Sequence, residues 1–220
     1  MLSPNSPFYC AHCIACRLPS ASCVCDQIEQ VELPFIINLC CHSNEWQRHD
    51  NTGQWAHLSS KDVHRIRWHR KPEHIYPALP EADINKDTGF HKSPAGHYLL
   101  FPSDDAVDLK HVISDTISNV IGDVTDYAEP IKELWIIDGT WQEAKKMLRQ
   151  SPWLKAFPKV SIQGIEGEPL ESHFKLRKNQ QGLCTFEAIQ AAIKHQSPIA
   201  SQSLNKNFHL FQNTLLGLLR

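Results

Sequence analysis

Five cysteines near the start of the chain are spaced as the ligands of a metal ion are. They lie close together in the sequence: Cys10, Cys13, Cys16, Cys23 and Cys25. Four thiolates can surround Zn²⁺ tetrahedrally, and the ion would fold a segment too short to bury a core of its own. The spacing Cys-x2-Cys-x6-Cys-x-Cys therefore predicts a closed structural zinc site formed by Cys13, Cys16, Cys23 and Cys25. Cys10 and His12 are alternative candidates for a ligand position.

A second group of chemically capable residues follows an apolar run in the segment 134–147. The run predicts a buried strand that brings Asp138 to its carboxyl end, where Gly139 permits a sharp exit and Thr140 begins a helix. Ligands of open α/β sheets bind at this edge, and a carboxylate there can orient an ammonium group or accept a proton. Spacing alone favours a simpler interpretation, in which Asp138 caps the helix and Trp141 packs in the core.

Alternating strands and helices must position these side chains. Short apolar runs predict strands at 34–41, 98–101, 134–137 and 159–163. Helical periodicity and capping residues predict helices after Ser103, at 141–150, from Thr185 to about His195, and from about Asn207. This order is typical of an α/β fold with a mostly parallel sheet and helices on both faces. We divide the chain into a zinc module at 1–30 and an α/β domain at 31–220.

Composition excludes several classes of protein. A chain of 220 residues can bury a core without disulfides, and its first residues do not resemble a secretory signal. No apolar run is long enough to span a bilayer. We therefore expect a cytoplasmic protein with reduced thiols and no membrane partner. The net charge of −2 is not that of a bulk nucleic-acid binder, so RNA would have to bind through local basic patches.

Asp138, Gly139, Thr140 and Trp141 together resemble the signature of the DTW-domain family, which is named for the three residue types Asp, Thr and Trp. Further blocks are similar to that family and occur in its order over roughly residues 10–195. They are His42-Ser-Asn-Glu45 with Arg48 and Asn51-Thr-Gly53, then Leu100-Phe-Pro-Ser103, then Arg177 with Leu183-Cys-Thr-Phe-Glu-Ala188, preceded by the four-cysteine spacing.

The resemblance implies a tRNA-uridine aminocarboxypropyltransferase whose domain is related to the knotted SPOUT methyltransferases. Such an enzyme uses S-adenosylmethionine to place a 3-amino-3-carboxypropyl group on N3 of a uridine in tRNA and releases methylthioadenosine. A methyltransferase uses the same donor, but there the methyl carbon on the sulfonium faces the acceptor, whereas here the γ-carbon does. Positioning should therefore dominate catalysis. The implied partners are tRNA and S-adenosylmethionine, and we expect a monomer or a homodimer.

The resemblance also implies roles for the matched residues. The expected catalytic residues are Asp138, Thr140 and Trp141. The expected cofactor-binding residues are Pro102, Gly139, Arg177, Thr185, Glu187 and Ala188. The residues expected to contact the uridine or the RNA are His42, Glu45, Arg48, Asn51, Thr52, Arg65, Arg67 and Arg70. The last three belong to the basic stretch 61–71, which interleaves cations with an aromatic residue as RNA-binding segments do.

Several of these roles have simpler alternatives. Asp138 has two possible roles: it acts on the uracil imide, which it deprotonates or orients, or it holds the ammonium group of the donor. Trp141 either stacks on a base or packs in the core. Thr185 can be a helix cap, Glu187 can bind ribose or favour the helix start, and the basic stretch can be a solvated face. Two other functions also fit: a SPOUT-type RNA methyltransferase and a non-catalytic zinc-containing RNA-binding protein.

Overall fold

The computed structural model describes residues 12–71, 84–85, 90–91, 95–118, 130–162, 172–175 and 182–219. Its strands are β1 (Ile36–Cys41), β2 (Val63–Arg67), β3 (Ile84–Asn85), β4 (Phe90–His91), β5 (His97–Leu100), β6 (Val107–Asp108), β7 (Glu133–Asp138) and β8 (Lys159–Ser161). Its α-helices are α1 (Thr52–Ser59), α2 (Leu109–Ser118), α3 (Trp141–Gln150), α4 (Pro152–Lys155), α5 (Thr185–Ile193) and α6 (Pro198–Leu218). Two short 3₁₀ helices, Ser20–Ser22 and Cys25–Gln27, lie in the cysteine-rich segment.

Six strands form one parallel sheet in the order β2-β1-β7-β5-β8-β6, and β3 pairs with β4 in a separate antiparallel ribbon. The centre of the sheet is the long pairing of β1 with β7, in which Cys41 lies opposite Asp138. Because all six strands are parallel, their carboxyl ends share one edge. The predicted α/β fold with a mostly parallel sheet is confirmed, whereas the knot of SPOUT enzymes stays a prediction.

Helices cover both faces of the sheet, as the continuous apolar strands predict. On β7, Leu134 and Ile136 belong to one hydrophobic cluster, while Trp135 and Ile137 belong to another. The first cluster includes side chains of α1, α2, α5 and α6, and the second includes side chains of α3 and α4. Among the described residues, no helix combines the length and apolar character that a membrane span requires.

The cysteine-rich segment packs against the first of these clusters. Cys16, Leu18 and Val24 are buried in the same cluster as Ile37 of β1. Loss of a metal ion from this segment would therefore also disturb the packing of the main hydrophobic cluster. The division into two domains at residue 30 stays a prediction.

Some element boundaries differ from the predicted ones. The helix expected directly after Ser103 begins at Leu109, because Val107 and Asp108 pair with β8 as a short edge strand. The last helix begins at Pro198 instead of near Asn207, since Ser197 caps it and proline fits its first turn. Sequence analysis missed α1 and β2, which are held by tertiary contacts with the sheet and not by strong local patterns.

Candidate functional site at the carboxyl edge of the sheet

A cavity of about 540 Å³ opens at the carboxyl edge of the sheet. The ends of β5 and β7 and the starts of α3 and α5 form its walls, which are mainly aliphatic: Leu100, Ile136, Ile137, Ile162, Leu183 and Ala144. Four of the residues expected to bind the cofactor line it: Pro102, Gly139, Thr185 and Ala188. These residues come from three separate blocks of the sequence, and the parallel sheet brings them together.

Trp141 lines the same cavity and is 49% exposed. Its ring stacks on Phe101 at a centroid distance of 5.2 Å and an interplanar angle of 18°, and the Lys145 ammonium lies 4.9 Å from its centre. A core role for Trp141 is excluded by this exposure. An exposed indole backed by a second ring is a suitable platform for a planar base.

Asp138 lies behind this cavity in a buried polar network. Its carboxylate accepts hydrogen bonds from the Thr185 hydroxyl at 2.7 Å and from Asn51 Nδ2 at 3.1 Å. The Arg65 guanidinium approaches the same carboxylate to 4.0 Å, and both side chains are almost fully buried. The network therefore joins the end of β7 to β2 and to the starts of α1 and α5.

The expected direct contact between Asp138 and a ligand stays a prediction, because this carboxylate is paired within the protein. The residue is only 2% exposed, and its oxygens are directed at protein donors. A buried carboxylate held in this way fixes the positions of its neighbours. The cavity-lining Thr185 is its nearest link to the site.

Thr140 forms the N-cap of α3, and its hydroxyl is engaged in a capping box with Glu143. Glu143 also contacts His42 Nδ1 at 3.1 Å and accepts a hydrogen bond from Asn44 at 2.6 Å. Burial alone would raise the pKa of Glu143, but the hydrogen bonds from Thr140 and Asn44 outweigh it and hold the pKa below its usual value. Thr140 therefore sets the start of α3, and its expected contact with a ligand stays a prediction.

At the start of α5, the cap is Cys184 and not Thr185. Glu187 completes this capping box and accepts hydrogen bonds from Ser172 at 2.6 Å and from the His173 amide at 2.5 Å. The carboxylate is buried among these donors and is not part of the cavity lined by Thr185, and its expected contact with ribose stays a prediction. Arg177, the other charged residue expected at the cofactor, lies outside the described residues.

The residues after β1 form the first turn of α1 and the hydrogen bonds that hold this turn in place. Asn51 caps α1 through Oδ1, which accepts from the Gln54 amide at 2.7 Å, and its Nδ2 donates to Glu45 and Asp138. Thr52 is buried in the same turn. Glu45, Asn51 and Thr52 are thus interior residues and do not present an edge to a base in this structure.

The four predicted zinc ligands form a compact cluster. The Sγ atoms of Cys13, Cys16, Cys23 and Cys25 all lie within 4.8 Å of one another. The contacts Cys13–Cys25 at 3.7 Å and Cys16–Cys23 at 3.8 Å are too long for disulfides. The Cys16 amide lowers the pKa of the Cys13 thiol to about 6, whereas burial raises that of Cys25. Four thiolates so close need a cation to be stable together, and this set fits a metal such as zinc.

A model of the DTW domain matches residues 10–216, nearly the whole chain. The protein belongs to the DTW-domain family. Membership is consistent with a role in tRNA modification. No solved structure is significantly similar to the chain.

The basic stretch of this DTW domain separates into buried and exposed residues. Arg65 lies inside, with a side chain that is 4% exposed and directed at the Asp138 network. Its expected contact with RNA stays a prediction, because this guanidinium is buried in the structure. Arg67 and Arg70 are exposed, and the Arg67 guanidinium lies 4.7 Å from the Trp46 ring. Arg48 is half exposed but is paired with Asp50 and Glu45.

Several residues that shape the site in this DTW domain were missed by sequence analysis. Phe101 supports Trp141, Glu143 joins α3 to His42, and Gln54 bonds with Arg65. Glu143 had a local signal, because Thr-x-x-Glu before a helix is a capping box. The partners of Gln54 are distant in sequence and left no local pattern. The thiols of Cys40, Cys41 and Cys184 are buried, and burial raises the pKa of each.

Proposed function

We propose that this DTW domain transfers a 3-amino-3-carboxypropyl group from S-adenosylmethionine to N3 of a uridine in tRNA. In this reaction the bond between N3 and the γ-carbon forms while the bond between that carbon and sulfur breaks. The electron pair of the broken bond stays on sulfur, which leaves as neutral methylthioadenosine, and the N3 proton is lost to solvent or a base. When bound, the donor supplies an activated carbon next to a sulfonium.

The observation that carries the proposal is the cavity at the sheet edge with the exposed Trp141 in its wall. The indole offers a face on which adenine or uracil can stack. The aliphatic walls give the cavity a surface of low polarity, which favours a step that joins a cationic sulfonium to an anionic nitrogen and gives neutral products. The family membership supports tRNA as the acceptor.

Asp138 acts in this proposal as a positioning residue. It holds the Thr185 hydroxyl, and Thr185 and Gly139 both line the cavity. A buried carboxylate whose donors are fixed keeps the strand end and the two helix starts in one arrangement. Such fixed positioning suits a reaction in which the attacked carbon must face the acceptor.

The direct test incubates the protein with S-adenosylmethionine and unmodified tRNA, followed by mass analysis of the nucleosides and of the sulfur by-product. Aminocarboxypropyluridine with an equal amount of methylthioadenosine supports the proposal. Methylated nucleosides with S-adenosylhomocysteine would indicate a methyltransferase instead. Tight tRNA binding with neither product, and no thermal stabilisation by S-adenosylmethionine, would indicate a non-catalytic RNA-binding protein.

Replacing Trp141 with alanine is expected to weaken the binding of S-adenosylmethionine or of the uridine by roughly tenfold, because stacking on an aromatic ring contributes about 1–3 kcal/mol per base. The residue is half exposed, so the free energy of unfolding should change by less than about 1 kcal/mol. Calorimetric titration with each ligand and urea denaturation measure the two effects. Trp141→Phe keeps a ring and should restore most of the affinity. Unchanged affinity of the alanine variant for both ligands would contradict the stacking role.

Arg67 and Arg70 are the exposed arginines of the basic stretch, and their joint replacement by glutamate is expected to weaken tRNA binding. The slope of log affinity against log salt should fall by about 2, because about one unit is lost with each phosphate contact. Lys206→Glu, at an exposed position on α6, is the control of the same charge type. Equal affinity and equal slope in the wild type and the double variant would show that this face does not contact tRNA.

A further inference from the structure

Gln54 connects the cysteine cluster with the buried network of Asp138. Its Nε2 donates to the carbonyl of Ala15, which lies between the ligand positions Cys13 and Cys16, at 2.9 Å. Its Oε1 accepts a hydrogen bond from Arg65 Nη1, and its backbone amide donates to Asn51 Oδ1 at 2.7 Å. The side chain is buried, so water does not compete for these bonds.

A second connection runs beside the first. Arg17 follows Cys16 directly, has a positive φ of 63°, and donates to the carbonyl of Arg48 at 3.3 Å. Arg48 in turn pairs with Glu45, which accepts a hydrogen bond from Asn51. Both connections therefore end on Asn51, the cap of α1.

The far end of the network reaches the cavity. Arg65 and Asn51 both approach Oδ2 of Asp138, and Oδ1 of Asp138 accepts from Thr185. Thr185 lines the cavity in which the donor would bind. A continuous set of contacts thus leads from the carbonyl of Ala15 to the donor pocket, through buried polar groups that have few alternative partners.

We infer that Gln54 is a positioning residue that couples metal occupancy of the cysteine cluster to donor binding in the cavity. A segment of this size is held in shape by its metal, so without the ion the Ala15 carbonyl no longer has a fixed position. Gln54 then loses an acceptor, and the Arg65 and Asn51 contacts on Asp138 loosen. This inference rests on the proposed function, because the pocket must bind S-adenosylmethionine for the coupling to be measured.

Coupling of this kind is reciprocal, which makes it measurable in either direction. If zinc tightens donor binding, a saturating donor must tighten zinc binding by the same factor. We expect a factor of roughly ten in the wild type, within the usual range for coupled sites.

The experiment titrates zinc against a chromophoric chelator in the presence and absence of saturating S-adenosylmethionine, for the full chain and two variants. Gln54→Ala removes the connection, and Gln54→Met takes its place if the alanine variant does not fold. Gln30→Ala is the matched control, since this exposed glutamine also links the N-terminal segment to α1, but through the Leu58 carbonyl at the opposite end of the helix. In addition, each zinc-loaded protein is titrated calorimetrically with S-adenosylmethionine.

The inference holds if the donor tightens zinc binding roughly tenfold in the wild type and in Gln30→Ala but less than about twofold in Gln54→Ala. A purely structural role would lower the zinc affinity or stability of Gln54→Ala and leave the donor effect intact, and that result would overturn the inference. Equal donor effects in all three proteins would overturn it as well. Absence of S-adenosylmethionine binding to the zinc-loaded wild type is a different outcome, since it would overturn the proposed function on which the inference rests.

Discussion

Replacing Cys25 with serine is expected to abolish stoichiometric zinc binding and to lower the melting temperature by about 10 °C. Three thiolates and a hydroxyl bind zinc far more weakly than four thiolates, and the free energy of metal binding is also folding free energy in so small a segment. The loss extends beyond the segment, because Cys16, Leu18 and Val24 are buried in the main hydrophobic cluster. A loss of about 4 kcal/mol corresponds to this temperature shift in a chain of this length.

Metal analysis of the purified protein and thermal unfolding in the presence and absence of a chelator measure both parts of this result. Cys40→Ala is the matched control, because Cys40 is fully buried but lies on β1, outside the four-cysteine cluster. It should keep its zinc and lose only the stability that a small cavity costs. Retention of one zinc per chain by Cys25→Ser would mean that the fourth ligand is another residue, such as Cys10 or His12, and would contradict the assignment of Cys25.

Replacing Gly53 with alanine is expected to destabilise the protein by about 2 kcal/mol, although alanine is the better helix former. Gly53 lies in the first turn of α1 against Asp138. A methyl group there would lie 2.8 Å from Oδ2 and 3.1 Å from Cγ of that carboxylate, closer than non-bonded atoms tolerate. Because the carboxylate is held by Asn51 and Thr185, moving it away from the methyl group would strain or break these hydrogen bonds.

Gly217→Ala is the control for the intrinsic helix preference. Gly217 is an exposed glycine in the last turn of α6, and a methyl group there would meet no atom within 4 Å. This substitution should stabilise the protein by about 0.5 kcal/mol, so the two glycine variants are expected to shift stability in opposite directions. Urea denaturation measures both, and S-adenosylmethionine titration of Gly53→Ala should show weaker binding, because Asp138 and Thr185 are displaced. A stable Gly53→Ala variant with normal donor affinity would contradict the close packing and the positioning role of Asp138.

Features that depend on residues close together in the chain could be predicted from the sequence itself. The apolar runs of β1 and β7 and the capped helix α3 were predicted nearly to their observed ends, because burial on both faces and helix capping leave local patterns. The four-cysteine spacing identified the cluster before its geometry was known, since metal ligation constrains spacing directly. The parallel order also placed Pro102, Gly139 and Thr185 at one edge, where they line one cavity.

Only the tertiary structure decided which polar side chains face that cavity. The partners of Asp138 are Asn51, Thr185 and Arg65, all distant from it in the sequence. The residues next to Asp138 therefore do not indicate whether its carboxylate is buried or exposed. The same holds for Arg65, which the basic stretch placed with Arg67 and Arg70 but whose side chain is buried by contacts with Gln54, Asn51 and Asp138. Burial of a polar group is set by partners far away in the chain, because a charge leaves water only where distant elements bring its hydrogen-bond partners to it.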